Sequence, residues 1–305
     1  MTELKAAKWK KTIFFLMISS ILIGVLLFIR TILFSGTKGI SGKDTALLNP
    51  KYQDAVSEFL LRSGTSEVFL YKKENFWWGS VSIDNENVIF PLNSNKISDF
   101  IKTLSAIRKV YHISDNASLY KDYNLDGNAF YIEARDSSKA ILLELFTGRL
   151  NYNGAKISFR TGKSTSIYET ESDLVPYIHT QAEKWADMQL VPVYAAFEES
   201  EVLGCSIDGI PAFQDNRTEL EAFLHKVLSA RGSVIQPGFT ADRSAADFTH
   251  IMLIETPQKI IRLFFIKNES NETYSVQTEI NGKISAYSLE ISSWTFNNIF
   301  ASINQ

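Results

Sequence analysis

The sequence predicts an α+β protein: two tandem β-rich repeats, each an antiparallel sheet with packed helices, following a single N-terminal transmembrane helix. Three observations predict it. Thr12 to Phe28 runs without a charge, and after Arg30 the apolar pattern resumes as far as Phe34, behind a head that carries Lys5, Lys8, Lys10 and Lys11. Further on, short stretches of alternating apolar residues bracket a stretch of helical periodicity. The same succession then returns about 120 residues later, which is the mark of a duplicated unit.

The N-terminal stretch is long enough to span a bilayer because an arginine near a helix end can snorkel to the headgroups. Signal peptides that are cleaved have a shorter apolar core followed by small residues, so the reading is an uncleaved signal anchor over 12–34. The lysines lie on its N-terminal side, which leaves a basic tail, 1–11, in the cytoplasm and the bulk of the chain outside. Residues 35–50 are rich in Gly, Ser, Thr and Lys and read as a flexible stalk. The first repeat is expected over 51–190 and the second over 191–305.

Residues 1–34 hold five basic and one acidic side chain, so 26 basic and 33 acidic remain beyond them, a net charge of −7 there. That balance argues against nucleic acid as a partner, since phosphate backbones select basic surfaces. Cys205 is the single cysteine, so an internal disulfide is excluded and the core must hold the fold.

In the first repeat, alternation predicts strands over 67–72 and 76–83. Ile97, Phe100, Ile101, Leu104 and Ile107 then mark one face of a helix. Further strands are expected over 130–134, 141–146, 155–160 and 165–169. A second helix is expected from Ser172, with Pro176 tolerated in its first turn, towards Met188. In the second repeat Leu203-Gly204-Cys205-Ser206-Ile207-Asp208 answers the stretch from Trp78 to Asp84, and Leu220, Phe223, Leu224 and Val227 answer the first helix face. Thr218 and Glu221 read as a capping box at the start of that helix.

Gly162-Lys163-Ser164 resembles the end of a phosphate-binding loop, but that loop needs GxxxxGK[ST], and Ile157 stands where its first glycine belongs. Gly282-Lys283 recurs 120 positions later at the corresponding place, so both are read as turns between strands.

The tryptophan-bearing strand with Trp77 and Trp78, the helix from Asn95, the turn Tyr123-Asn124-Leu125-Asp126 leading into Ala129-Phe130-Tyr131-Ile132, and Ile167-Tyr168 before Leu174 together resemble a known family. It is a membrane-anchored, duplicated domain of unknown function, common in bacteria and often encoded beside gliding-motility-type ABC transporter components. Asn124 stands where that family has glycine, Gly127 where it has proline, and Ala245-Ala246-Asp247-Phe248 replaces the turn in the second copy. The resemblance implies a bacterial cytoplasmic (inner) membrane setting and a protein partner in a membrane transport complex.

Among candidate sites, Phe76-Trp77-Trp78-Gly79 stands out. On a strand Trp77 and Trp78 face opposite ways, so one side must be core, while the other can serve as an aromatic platform for a partner. Trp77 and Trp78 are therefore the candidate partner-binding residues. His112, His179, His225 and His250 are scattered, and His179 with Glu183 has helical spacing but supplies two ligands where a catalytic zinc needs three. Cys205 reads as a small buried residue, and the run Glu198-Glu199-Ser200-Glu201 as a solvated edge. No catalytic, metal or cofactor constellation emerges. The expectation is a non-enzymatic, membrane-tethered extracytoplasmic accessory protein, with an envelope glycan- or lipid-binding module as the alternative and an unrecognised hydrolase behind it.

Overall fold

The computed structural model describes residues 42–301 apart from 163, 214, 240–243, 245, 246 and 269. Its strands form two antiparallel sheets. The first contains β1 (Lys43–Thr45), β2 (Val56–Ser63), β3 (Ser66–Lys73), β4 (Phe76–Ile83), β5 (Glu86–Pro91), β6 (Arg108–Ser114), β7 (Phe130–Asp136), β8 (Ile141–Leu150), β9 (Lys156–Thr161) and β10 (Ile167–Glu171). Their order across the sheet is β1-β6-β10-β9-β8-β7-β2-β3-β4-β5. The second sheet contains β11 (Gly204–Ile207), β12 (Ile210–Pro211), β13 (Val234–Pro237), β14 (His250–Glu255), β15 (Ile260–Asn268), β16 (Thr273–Ile280) and β17 (Lys283–Ser292), in the order β12-β11-β14-β15-β16-β17-β13. Three α-helices accompany them among the described residues: α1 (Ser94–Ser105), α2 (Arg217–Ser229) and α3 (Ser293–Phe300).

The α+β expectation is corrected: the protein is mostly β, with 46% of the described residues in strands against 24% in helical conformations. Much of the helical share is short 3₁₀ turns. The helix expected from Ser172 to Met188 is one of the reasons, because 3₁₀ turns at Ser172–Tyr177 and Ala182–Lys184 stand in its place. Pro176 disfavours the α conformation at the residue before it. The backbone beyond is taken up elsewhere: Trp185 O accepts from Asn93 N at 2.8 Å, and Asp187 N donates to Pro91 O at 2.8 Å. No helix among the described residues is long and apolar enough to cross a membrane, and the stretch 12–34 lies outside them.

Part of the expected stalk belongs to the fold. Lys43–Thr45 pair with β6, and Leu48 is fully buried with its N–H donating to Leu104 O at 2.8 Å. Burying one leucine favours order by roughly 1.5–3 kcal/mol, which outweighs the flexible composition around it.

Turn chemistry sets the hairpins. Asp84-Asn85, Asp208-Gly209 and Asn281-Gly282 all have positive φ at both positions and join β4–β5, β11–β12 and β16–β17 as two-residue type I′ turns. In the second sheet, β11–β12 precede α2 and β11 pairs directly with β14. In the first, the β2–β3 hairpin is interposed between β7 and β4. The strand carrying Cys205 thus occupies the place of β2, not that of the tryptophan strand.

Helix α1 lays Ile97, Phe100 and Leu104 on the first sheet, while Ile107, expected on the same face, lies past the helix end and is exposed. Asn93 caps it by accepting from the N–H groups of Asn95 and Lys96, both at 3.1 Å. Helix α2 is capped by Asn216, which accepts from Glu219 N at 3.2 Å, rather than by the Thr218/Glu221 box.

One buried apolar cluster runs through both sheets. Strand β5 packs against β13 and β17, and the segment 185–190 fastens the two sides. Gly232 N donates to Met188 O at 2.8 Å, and Thr278 Oγ1 donates to Leu190 O at 2.8 Å.

Candidate functional site

Trp77 and Trp78 are placed on opposite faces of the first sheet, and neither is a freely exposed platform. Trp77 shares the inner face with Gly79, and its cross-strand partner is Lys72 on β3. The ring of Trp77 stacks on Phe59 at 6.1 Å between centroids. It remains half-buried and lines a groove of about 260 Å³ together with Gln53, Asp54, Val56, Lys72, Ser94, Ile97, Ser98 and Ile101.

Three pieces of the chain build this groove. The 3₁₀ turn Pro50–Ala55 supplies Gln53 and Asp54; the β3–β4 hairpin supplies Lys72 and Trp77; the first turns of α1 supply Ser94 and Ser98. Ser94 and Ser98 lie four residues apart on the helix and therefore share a face. None of the side chains of Gln53, Asp54, Lys72, Ser94 and Ser98 makes a hydrogen bond or ion pair with another described residue. The indole N–H of Trp77 likewise has no partner among the described residues. The groove thus combines an aromatic wall with several polar groups whose bonding capacity is open among the described residues, and it is more polar than the mostly apolar pockets that enclose drug-sized ligands. Sequence pattern had marked Trp77 alone. Gln53 and Asp54 gave no signal, because they meet Trp77 through the packing of α1 and not through spacing along the chain.

On the opposite face, Trp78 packs against Tyr194 at 5.3 Å, and Phe76 meets the same ring edge-on at 6.1 Å. Tyr194 belongs to the connection between the sheets, and Lys259 Nζ donates to its carbonyl at 3.2 Å. Trp78 therefore belongs to the seam. The phenol of Tyr194 is held above its ordinary pKa by burial and then by the carboxylate of Asp187.

The remaining candidates fall into structural roles. Cys205 is buried, and burial pushes its thiol up to about 12, away from the thiolate a nucleophile needs. His179 and Glu183 do not share a helix: the His179 carbonyl accepts from Trp185 Nε1 at 2.9 Å, and Glu183 accepts from Ile235 N at 3.2 Å. His225 pairs with Glu199 at 3.3 Å and His250 with Asp208 at 2.7 Å. No group of three or more metal-ligating side chains occurs among the described residues. Gly162 N donates to Glu144 O at 3.0 Å within a strand connection, and Lys163 lies outside the described residues.

Two polar clusters escaped the sequence reading. Asp115 accepts from Ser166 Oγ and lies 2.8 Å from His112 Nε2, and these hydrogen bonds hold its carboxyl below the usual range. Serine and histidine both address the carboxylate instead of each other, so this is not the relay of a serine hydrolase. On β7 and β8, Glu133 and Glu144 stand directly opposite each other, with the Tyr131 hydroxyl 2.7 Å from the first and 3.2 Å from the second. Arg135 lies 2.6 Å from Glu133, so the buried charge is compensated within the sheet.

Fold and groove together define a mostly β protein with a polar groove walled by one tryptophan. No protein-family model matches the chain, and no solved structure matches it. It is similar to an uncharacterised protein of Treponema pallidum (strain Nichols), 22% identical over 169 residues that cover 53% of this chain and 52% of that one. The chain spans about half the length of that relative.

Proposed function

We propose that this chain is a non-enzymatic accessory protein that acts by binding outside the cytoplasmic membrane, where the lysine-flanked stretch 12–34 tethers it. Its ligand site is the Trp77 groove, and its membrane partner is a component of a transport complex. The observation that carries the binding role is the half-buried Trp77 ring set among side chains with open bonding capacity. The tether is supported by the charge pattern of residues 1–34, and the transport setting by the family resemblance of the tryptophan strand and the Tyr123–Asp126 turn.

A tether raises the concentration of a binding module near a membrane partner, often to the millimolar range. Copurification after gentle detergent extraction tests this. The expected result is a stoichiometric partner band that is lost when 12–34 is replaced by a cleaved signal peptide. Protease added to spheroplasts should digest the folded part. Full complementation of a deletion strain by the untethered chain at normal expression would count against the proposal.

A further inference from the structure

We infer that the Trp77 groove takes a neutral saccharide, one sugar residue at a time; this rests on the binding role proposed above. Asp54 brings an acceptor without a donor and Lys72 donors without an acceptor, while Gln53, Ser94 and Ser98 bring both. None of these side chains is engaged by another described residue, so within that part of the chain their bonding capacity is open to a ligand.

An anion in this groove faces the Asp54 carboxylate, and a cation faces the Lys72 ammonium. An alkyl ligand strips water from the half-buried Gln53 and Ser98 side chains without replacing their hydrogen bonds, which is costly. A hydroxyl group both donates and accepts, so a polyhydroxylated ring answers every one of these groups at once. The C–H face of such a ring is apolar and lies against an aromatic surface. Trp77 provides that surface, and its own N–H is a further donor. A zwitterion also matches Lys72 and Asp54, but both are exposed, where paired charges contribute little, and it leaves Gln53, Ser94 and Ser98 unanswered.

Size agrees. The groove measures about 260 Å³, below the roughly 300–1,000 Å³ of pockets that enclose drug-sized ligands, so it accommodates a single sugar ring with any further residues outside. The rigid parts also agree: Trp77 is held by Phe59, and the Ser94 and Ser98 wall is a capped helix. A pre-shaped site loses little order on binding.

The test uses the full-length chain in a detergent without a sugar headgroup. Saturation-transfer difference NMR is recorded with glucose, galactose and N-acetylglucosamine, and with glycine and inorganic phosphate as rivals. The expected result is saturable transfer to the ring C–H protons of at least one sugar. Asp54→Ala, at an exposed position, should weaken it about tenfold with an unchanged melt, and Trp77→Ala should abolish it. The inference is overturned if none of the sugars binds, if sugar binding is indifferent to both substitutions, or if glycine or phosphate occupies the groove instead. Should the sugars fail while the partner band still depends on the tether, the saccharide assignment falls and the accessory role stands. Loss of both removes the accessory role as well.

Discussion

Gly79 on β4 stands directly opposite Phe90 on β5, and the ring of Phe90 occupies the space that a side chain at Gly79 would need. The relationship lies two positions from Trp77 on the same face, so it shapes the inner surface next to the groove. Gly79→Ala forces the ring or the strand to move, and overpacking of this kind costs about 1–3 kcal/mol. Thermal melts should show the loss, and an unchanged melting temperature would mean that Phe90 relaxes freely.

Asp187 fastens the connection between the sheets. Its side chain is buried and accepts from Gln189 N at 3.2 Å and Val193 N at 2.8 Å, while its own N–H reaches Pro91 O. Removing the carboxylate strands two backbone donors, each worth about 1–3 kcal/mol when left unsatisfied. Because one core runs through both sheets, urea unfolding of the native chain should be a single transition. Asp187→Ala should shift it to lower urea or split it in two, and a superimposable curve would remove the fastening role.

Tyr131 makes the fold sensitive to alkali. Burial, then the hydrogen bond and charge of Glu133 and the charge of Glu144, push its phenol above the ordinary value of about 10. A group whose folded pKa is raised stabilises fully below its unfolded value and loses that contribution as pH rises through the folded one. Stability should therefore fall above about pH 10. In Tyr131→Phe the fall should be shallower, although at neutral pH the variant is weaker because Glu133 and Glu144 lose their shared donor. Denaturation midpoints between pH 7 and pH 11 decide this, and parallel profiles for the two proteins would refute it.

Cys205 should be silent in the native chain. With its thiol buried and pushed up to about 12, reaction with an aromatic disulfide reagent at pH 8 should be slow and become fast only in denaturant. Rapid labelling without denaturant would show that β11 opens locally.

Much of the fold was legible because its signals are local. Alternation located β3 and β4, helical periodicity located α1 and α2, and the turn expected at Gly282-Lys283 lies one residue earlier, at Asn281-Gly282, where both positions have positive φ and Lys283 already opens β17. Asn124, standing where glycine was expected, does adopt the left-handed conformation, which asparagine tolerates better than most residues. The candidate site was legible in one residue.

What the sequence determined by itself is therefore a part of the strands, β3, β4 and β7 to β10 among them, the apolar faces of α1 and α2, and the fact that Trp77 and Trp78 oppose each other, since side chains alternate along a strand. Tertiary structure alone decided which of the two lines a groove, because that depends on the face α1 covers. It also decided that Leu48 is core, that 172–188 forms no α-helix, and that β11 pairs with β14 in the place β2 takes beside β7, and not in the place of the tryptophan strand. These are long-range choices in which burial and hydrogen-bond pairing outweigh local preference, and spacing along the chain carries no record of them.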